Sequence, residues 1–209
     1  MDHLRARLRS RDEGMTLIEL LVSMGIFTVV LAVFFGGLIT MTRSTSRSQD
    51  VTAAGNSVRS AFQTMDRQIR YASAINTPGT GGSGSHYVEF LTGSQPDGLA
   101  PLCTQWRLDP TNRVLQQRTW RDTPSATRSS WRTVATDIRN DVTVHPPFTL
   151  YPVGDGRSRQ QLAVALDAGA GEGGTDSAPG ADVSTVFVAR NSAKASTDTV
   201  VCQNLLERP

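Results

Sequence analysis

The sequence lacks the residues from which most catalytic and metal sites are built. Cysteine occurs only twice in 209 residues, at Cys103 and Cys202, and neither residue lies in a CxxC pair. The three histidines, His3, His86 and His145, are scattered and have no HExxH-type neighbours. The sequence therefore predicts neither a structural zinc site nor a metalloprotease-type site.

An excess of charge of either sign is also lacking. The chain has 21 lysine and arginine residues against 19 aspartate and glutamate residues, which leaves a formal charge of +2. This balance gives no electrostatic reason to expect a nucleic acid or an acidic substrate, and no direct nucleic-acid site is evident. Since domains average about 150 residues, the length predicts one folded domain with an appendage.

One long hydrophobic run is present near the N-terminus. Residues 1–14 are polar and contain four arginines, whereas the 23 residues from Leu20 to Thr42 carry no formal charge. As a helix with a rise of about 1.5 Å per residue, this run spans about 34 Å, enough to cross a hydrocarbon core of about 30 Å. The preceding arginines favour a cytoplasmic N-terminus, so the chain beyond Thr42 is expected outside the cytoplasm.

Two common interpretations of this run leave something unexplained. A secretory signal peptide has an apolar core of about 7–15 residues followed by a small-x-small cleavage site, and this run is longer and lacks such a site. A plain signal anchor does not explain Glu19, because a carboxylate in the middle of a membrane span costs about 2.5–3.5 kcal/mol and less near an interface. Glu19 follows Met15 by four residues, which in a helix places both on one face. If the chain were cut before Met15, Glu19 could neutralise the new amine.

Residues 14–22, GMTLIELLV, resemble the prepilin cleavage and methylation motif of the type IV pilin-like family. The resemblance implies that a membrane aspartyl peptidase cuts after Gly14 and methylates the amine of Met15. Glu19 corresponds to the family's characteristic glutamate, the fifth residue of the mature chain. It is expected to pair with the Met15 amine between neighbouring subunits, because an unpaired buried charge is costly. Met15 stands where phenylalanine is more common in the family.

The membrane segment departs from many major pilins in one respect. Those chains carry a proline near its middle, whereas this one has Gly36-Gly37. Glycine weakens a helix by about 1 kcal/mol relative to alanine, which would permit local melting during assembly. Small residues also let neighbouring helices approach closely, and both interpretations remain open.

After the polar stretch 43–50, apolar residues recur at intervals of three and four residues, which predicts an amphipathic helix. Asp66 and Arg70 form an i to i+4 pair on it. The apolar stripe is expected to pack on the protein's own globular domain rather than on a partner, and the helix to end near Ile75-Asn76. The stripe comprises Val51, Ala54, Val58, Ala61, Phe62, Met65, Ile69 and Ala72.

Beyond the helix the period changes to two, which predicts strands. The segment Asp109–Asn112 is a good hairpin connection. A long helix followed by strands predicts an α+β fold, with a globular head built on an antiparallel sheet. The predicted strands are His86–Leu91, Leu102–Leu108, Arg113–Trp120, Phe148–Val153, Gln161–Leu166 and Thr185–Arg190.

The C-terminal pattern resembles large minor pilins and the J-type minor pseudopilins. The resemblance rests on Val134 and Val142 leading to Phe148–Tyr151, and on a late strand that ends in Val188–Asn191. The K-type tip subunit of the pseudopilin family lacks the glutamate, so Glu19 is an argument against that role. The resulting division has four parts: a cytoplasmic leader peptide that is removed, 1–14; the transmembrane and assembly half of the helix, 15–42; its amphipathic half, 43–75; and an extracytoplasmic β-rich head, 76–209.

Outside the cytoplasm disulfides persist, so a bridge between Cys103 and Cys202 is expected, with two buried free thiols as the alternative. The tryptophans are expected in the sheet core or in cross-strand pairs, with a partner-binding or glycan-binding surface as the alternative; they are Trp106, Trp120 and Trp131.

Four acidic residues in and beside a glycine-rich stretch are weak calcium candidates. They are Asp167, Glu172, Asp176 and Asp182. Their spacing fits no EF-hand, so a solvated loop and no cofactor are expected.

These observations predict a non-catalytic minor structural subunit of a type IV pilus or of the pseudopilus of a secretion or DNA-uptake system. Its expected partners are prepilin peptidase, other pilins or pseudopilins that contact the N-terminal helix, and the membrane. It would lie in the inner or cytoplasmic membrane with its head outside, and then in a cell-surface or periplasmic fibre. The alternative is an uncleaved, membrane-tethered extracytoplasmic binding module, which predicts no dependence on Glu19. An anchored enzyme is disfavoured because no nucleophile–base or metal motif is evident.

Overall fold

A computed structural model describes residues 15–169, 180–192, 200–204 and 206–209 of the protein. Over these residues one α-helix, α1 (Leu17–Arg70), precedes antiparallel sheets in a globular head, which confirms the α+β class. The chain divides into two compact units between Ser46 and Arg47. The strands are β1 (Ala74–Ile75), β2 (Gly79–Thr80), β3 (His86–Thr92), β4 (Leu102–Asp109), β5 (Val114–Arg121), β6 (Arg132–Ala135), β7 (Phe148–Tyr151), β8 (Gln161–Gly169) and β9 (Gly180–Val188).

The first part of α1, up to Ser46, is almost entirely exposed, and it is uncharged from Leu20 to Thr42. Hydroxyl side chains within it bond to carbonyl oxygens one turn earlier, as Thr28 Oγ1 does to the Met24 oxygen at 2.8 Å. Such bonds satisfy a hydroxyl without water or a second chain. The helix continues unbroken through Gly36 and Gly37, where an added Cβ atom would meet nothing within 4 Å. Melting and close helix approach both stay open as interpretations of these glycines.

The larger sheet formed by the described residues has the order β1-β3-β4-β5-β6, with β2 also paired to β3. The predicted connection Asp109–Asn112 joins β4 to β5. Asp109 Oδ1 accepts a hydrogen bond from the Asn112 amide at 3.0 Å, and Oδ2 accepts one from Asn112 Nδ2 at 2.7 Å. An aspartate that binds the chain just ahead of itself is typical of tight turns. Arg113 completes the connection with a φ of 57°.

The smaller sheet formed by the described residues has the order β7-β8-β9, which places β9 at one edge of it. β8 pairs with β9 along its whole length, from Gln161 opposite Val188 to Gly169 opposite Gly180. The even-numbered side chains of β8 face the core and are fully buried, as strand alternation requires. These side chains are Leu162, Val164, Leu166 and Ala168.

The predicted stripe of α1 lies in the core, against both sheets. Its buried members belong to the same cluster as Trp106 of β4 and Leu162 of β8, whereas Val51 at its start is only half-buried. Trp106 Nε1 also donates a hydrogen bond to Gln68 Oε1 on the helix at 2.9 Å. The prediction that this face packs on the protein's own head is confirmed. The buried members on α1 are Ala54, Val58, Ala61, Phe62, Met65 and Ile69, and Ala72 is buried just beyond the end of the helix.

The predicted end of the helix near Ile75 is wrong. α1 ends at Arg70, and Ala74–Ile75 is a strand paired with β3. The Asn76 amide likewise donates to the Glu89 carbonyl oxygen at 2.8 Å. The main chain here bonds to a distant strand instead of to the preceding turn, and periodicity does not report such a tertiary effect.

All six predicted strands are present, with different ends for some. β7 ends at Tyr151 instead of Val153, and β9 spans Gly180–Val188 instead of Thr185–Arg190. β1, β2 and β6 were not predicted because two to four residues are too few to establish alternation.

Candidate functional site

The N-terminal turn of α1 is capped by Thr16. The Thr16 carbonyl oxygen accepts from the Leu20 amide at 3.1 Å, and Thr16 Oγ1 accepts from the Glu19 amide at 3.3 Å. Thr16 is therefore the N-cap and Glu19 the third helical residue, the spacing of a capping box. A carboxylate in the first turn also complements the positive end of the helix dipole.

This cap corrects one step of the sequence argument. Met15 precedes the N-cap and is not helical, so Met15 and Glu19 do not share a helix face. In a helix that began earlier, the Glu19 amide would donate to the Met15 carbonyl oxygen. Here it donates to the Thr16 hydroxyl instead. Gly14, the other residue of the predicted cleavage site, lies outside the described residues.

Glu19 is exposed, and among the described residues its carboxylate has no hydrogen-bond or ion-pair partner. The apolar side chains that follow it are exposed too, among them Leu20, Phe27 and Phe34. In the described part of the chain, α1 is the single helix whose length and composition would allow it to cross a membrane, a test that signal sequences also pass. The most apolar 18-residue window has a mean hydropathy of 2.5 and no buried residue.

The head contains a buried polar layer on the larger sheet. Glu89 of β3, Gln105 of β4 and Arg118 of β5 are cross-strand neighbours and are at most 8% exposed. Gln105 Nε2 donates to Glu89 Oε1 at 2.8 Å, and Arg118 Nε donates to Gln105 Oε1 at 2.7 Å. Burial, and the charge of nearby Arg128, lower the pKa of the Arg118 guanidinium.

The C-terminal strap, defined here as residues 200–204 and 206–209, covers this layer. Arg208 binds both carboxylate oxygens of Glu89, with Nε to Oε1 at 2.9 Å and Nη2 to Oε2 at 2.5 Å. Tyr87 Oη donates to the Pro209 oxygen at 2.8 Å, and Gln105 Nε2 to the Glu207 oxygen at 2.9 Å. These contacts satisfy charges and amides that would be costly to bury alone.

The opposite end of the strap is fixed covalently. Cys103 of β4 and Cys202 form a disulfide, with Cα atoms 5.7 Å apart and both residues fully buried. Asn76 holds the adjacent Val201 at both main-chain groups, since the Val201 amide donates to Oδ1 at 2.8 Å and Nδ2 donates to the Val201 oxygen at 2.9 Å. Trp120 Nε1 donates to the Asn204 oxygen at 2.8 Å.

The tryptophans divide into two classes. Trp106 and Trp120 are core residues that are buried on opposite faces of the larger sheet. Trp131 is only half-buried and lies close to two guanidinium groups, with Arg107 Cζ at 4.2 Å and Arg118 Cζ at 4.3 Å from its ring centroid. Both arginines thus contribute cation–π contacts that hold Trp131 against the polar layer.

The acidic calcium candidates do not assemble within the described residues. Asp167 pairs with Arg139 at 2.9 Å and lies directly opposite Asp182 in the β8–β9 ladder. Glu172 and Asp176 lie outside the described residues. Among the residues that are described, no group of three or more His, Cys, Asp or Glu side chains is placed to hold a metal ion.

Sequence reasoning missed the strap and its anchor on β3. The signal available was Glu89 itself, a charge between the apolar residues Val88 and Phe90 of a predicted strand. Alternation places such a residue on the face opposite the core, where solvent is the default expectation. Nothing in the sequence around Arg208 indicates that it covers this face.

A comparison with known families gives a match near the N-terminus of the chain. A family model described as the prokaryotic N-terminal methylation motif matches residues 9–35. The matched residues contain the Gly14–Met15 junction, Glu19 and the first half of the exposed apolar helix. A comparison with characterised proteins gives no match over the chain.

Proposed function

We propose that this type IV pilin-like chain is a non-catalytic minor subunit of a type IV pilus or of the pseudopilus of a secretion or DNA-uptake system. Prepilin peptidase cuts it after Gly14 and methylates Met15. The apolar part of α1 then anchors it in the cytoplasmic membrane with the head outside. The motif match at residues 9–35 supports processing, and the exposed apolar helix supports the anchor.

The observation that carries the proposal is the state of Glu19 in an otherwise apolar, exposed helix. Among the described residues its carboxylate has no partner. An unpaired charge in a low-dielectric assembly is costly, so the carboxylate requires a cation from outside the folded chain. The methylated amine at Met15 of a neighbouring subunit meets that requirement and sets the register between helices.

Assembly follows from the apolar surface. The helix is stable in lipid, and it can leave lipid only where other helices bury the same side chains. A fibre built around a bundle of such helices provides that burial. The heads then remain outside, where the disulfide between Cys103 and Cys202 persists.

Processing is tested by the intact mass of the membrane-extracted protein from its own host. A chain that begins at Met15, with or without one added methyl group, is expected. A chain that still begins at Met1 would contradict the proposal and favour the alternative, an uncleaved membrane-tethered binding module.

Assembly is tested with Glu19→Ala, with Glu19→Gln as the variant that retains size and Ser23→Ala as a matched control. Ser23 lies in the same exposed segment, and its hydroxyl bonds only locally, to the Leu20 oxygen at 2.9 Å. Both Glu19 variants are expected to be cut normally but to be depleted from sheared fibres, whereas Ser23→Ala enters them normally. Normal incorporation of Glu19→Ala would rule out the charge-pairing role.

A further inference from the structure

Within the part of the chain that the structure describes, the β9 edge of the smaller sheet is unpaired over most of its length. β9 pairs with β8 on one side only. The Ala189 amide donates to the Gln160 oxygen at 3.0 Å in continuation of this ladder. Because alternate residues of an antiparallel strand direct their main-chain groups to the same side, the odd-numbered residues of β9 bond to β8. The even-numbered residues Asp182, Ser184, Val186 and Val188 therefore direct N–H and C=O groups away from the sheet.

Among the described residues, α1 approaches β9 at both of its ends but bonds to its outward main-chain side only just beyond one of them. The Arg190 amide donates to the Arg70 oxygen at the end of α1, at 3.2 Å. An added Cβ at Gly55 would lie 3.8 Å from the Cβ of Ala181 at the other end. Between these points a groove separates α1 from β9. Its lining includes Val51, Asn56, Arg59, Phe62, Val183, Thr185 and Phe187.

In the described residues, the middle of this edge also lacks the features by which proteins protect exposed strands. Natural edges carry lysine, proline, bulges or a covering element that prevents pairing with another chain. β9 contains neither lysine nor proline, its register with β8 shows no shift, and its one charge is Asp182. Val183, Val186 and Val188 are 38–50% exposed. A nine-residue, valine-rich edge of this kind is suited to strand addition.

The charges indicate one property of the added strand. Asp182 lies directly opposite Asp167, and like charges in that position are destabilising. Asp167 is neutralised by Arg139, whereas the Asp182 carboxylate has no cationic partner among the described residues. A cation on the next strand, beside Asp182, would relieve the repulsion.

We infer that the β9 edge takes an extended strand donated by a neighbouring, different pilin-type subunit of the fibre, and this inference rests on the function proposed above. The donated strand bonds to the outward main-chain groups of residues 182–188. Its inward side chains are apolar and enter the groove beside Phe62 and Phe187, whose ring centroids are 5.8 Å apart. It carries a lysine or arginine beside Asp182.

A second copy of this chain fits the edge less well. The contacts of Gly55 with Ala181 and of Arg70 with Arg190 show that α1 and β9 run in the same direction. Antiparallel pairing of two β9 edges would therefore set residues 55–70 of the two α1 helices antiparallel to each other. Subunits of one fibre run in the same direction, so such a pair does not fit the proposed fibre, and the donor is a strand of a different chain.

Hydrogen exchange of the full-length chain provides the main test. In detergent-solubilised monomer, the outward amides of Ser184, Val186 and Val188 are expected to exchange fast. In sheared fibres that contain the chain, their exchange is expected to slow by at least about tenfold, as for amides that become part of a hydrogen-bonded ladder. Equally fast exchange in the fibre would overturn the inference and leave the proposed function intact.

Variants at Val186 test the same edge genetically. Val186→Pro removes an outward N–H without breaking the β8 ladder, Val186→Lys adds an edge charge, and Val186→Thr retains both the N–H and the β-branch. The first two are expected to lower incorporation into fibres by about tenfold, the effect of about 1.4 kcal/mol, while Val186→Thr has little effect. Unchanged incorporation of Val186→Lys, whose folding is checked by thermal unfolding in detergent, would overturn the inference.

A photo-cross-linking residue at position 184, placed in the full chain in its own host, identifies the occupant. An adduct with a different chain that carries the same N-terminal motif, mapped to an extended segment with a cation, supports the inference. An adduct within the chain, or with a second copy of it, overturns it. A chain that still begins at Met1 and never enters fibres contradicts the proposed function itself, which the intact mass detects separately.

Discussion

The carboxylate of Glu89, a fully buried residue of β3, binds the guanidinium of Arg208 in the strap, 119 residues later in the chain. The pair has two charged hydrogen bonds, and Gln105 Nε2 adds a third to the carboxylate at 2.8 Å. Such a pair contributes specificity more than net stability, because burying both charges costs about as much as their attraction returns. Removal of one partner is a different matter, since it leaves the other charge buried and alone.

Arg208→Met is expected to lower the free energy of unfolding by about 3–5 kcal/mol, because it leaves the Glu89 carboxylate without its cation. Denaturant unfolding of the full-length protein in detergent measures this change. The double variant Glu89→Gln with Arg208→Met is expected to lose less than the single one, since no charge is then buried unpaired. A double variant less stable than Arg208→Met would mean that the pair is not the source of the loss.

The amphipathic half of α1 and the predicted strands follow from periodicity, because one face of each is buried in the head. Ile69 belongs to the predicted apolar face of the helix and Leu162 to the apolar face of a predicted strand, and both are fully buried. The end of α1 at Arg70 was not predicted, because it depends on the pairing of β1 with β3. Local pattern carries no information on that pairing.

The candidate sites also divide into those that local sequence pattern predicts and those that depend on contacts between distant parts of the chain. The motif around Glu19 is local in sequence and was found, whereas Arg208 contacts Glu89 only because the tail folds back across the sheet. The position of β9 at the edge of the sheet formed by the described residues was missed for a related reason. Thr185–Arg190 was predicted as a strand, but strand order decides whether that strand is central or at an edge, and one sequence does not provide strand order.

Loss of the disulfide is expected to loosen the strap and lower stability. Cys103 and Cys202 are separated by 99 residues, and the chain-entropy model gives about 4–5 kcal/mol for a loop of about 100 residues. The double variant Cys103→Ala with Cys202→Ala should therefore unfold at lower denaturant and exchange amides faster at 200–204. An unchanged midpoint would show that the hydrogen bonds of Asn76 and Trp120 suffice to hold the strap. Cys202→Ala alone controls for the unpaired thiol.

The stability of the head is expected to fall in acid through Asp109. Burial raises the pKa of this carboxyl, but hydrogen bonds from the Asn112 side chain and amide, together with the charge of Arg107, outweigh burial and leave the pKa below its ordinary value of 3.8. A carboxyl with a depressed native pKa binds fewer protons in the folded than in the unfolded state. Its contribution is therefore fully present above the unfolded pKa and is lost as the pH falls through the folded pKa.

Asn112→Ala removes the side-chain hydrogen bond and is expected to raise the pKa of Asp109 and to weaken the acid dependence below about pH 4. Unfolding free energies at a series of pH values, with the Asp109 carboxyl followed by NMR, measure both effects. Thr111→Ala is the matched control, because Thr111 contributes to the pKa only through its backbone. An identical pH dependence in Asn112→Ala and in the unmodified protein would contradict the assignment.

Calcium is expected to leave the melting temperature of the protein unchanged at about 1 mM, the weak end of protein calcium sites. Asp167 is already paired with Arg139, and Asp182 opposite it provides one carboxylate only. Thermal unfolding after chelation, with calcium and then with magnesium added, checks this expectation.

Arg139→Gln offers a positive control, because it frees Asp167 beside Asp182 and should make the melting temperature rise with calcium. A calcium-specific rise in the unmodified protein would show that Glu172 or Asp176 completes a site, and Glu172→Gln and Asp176→Asn would then identify which residue binds.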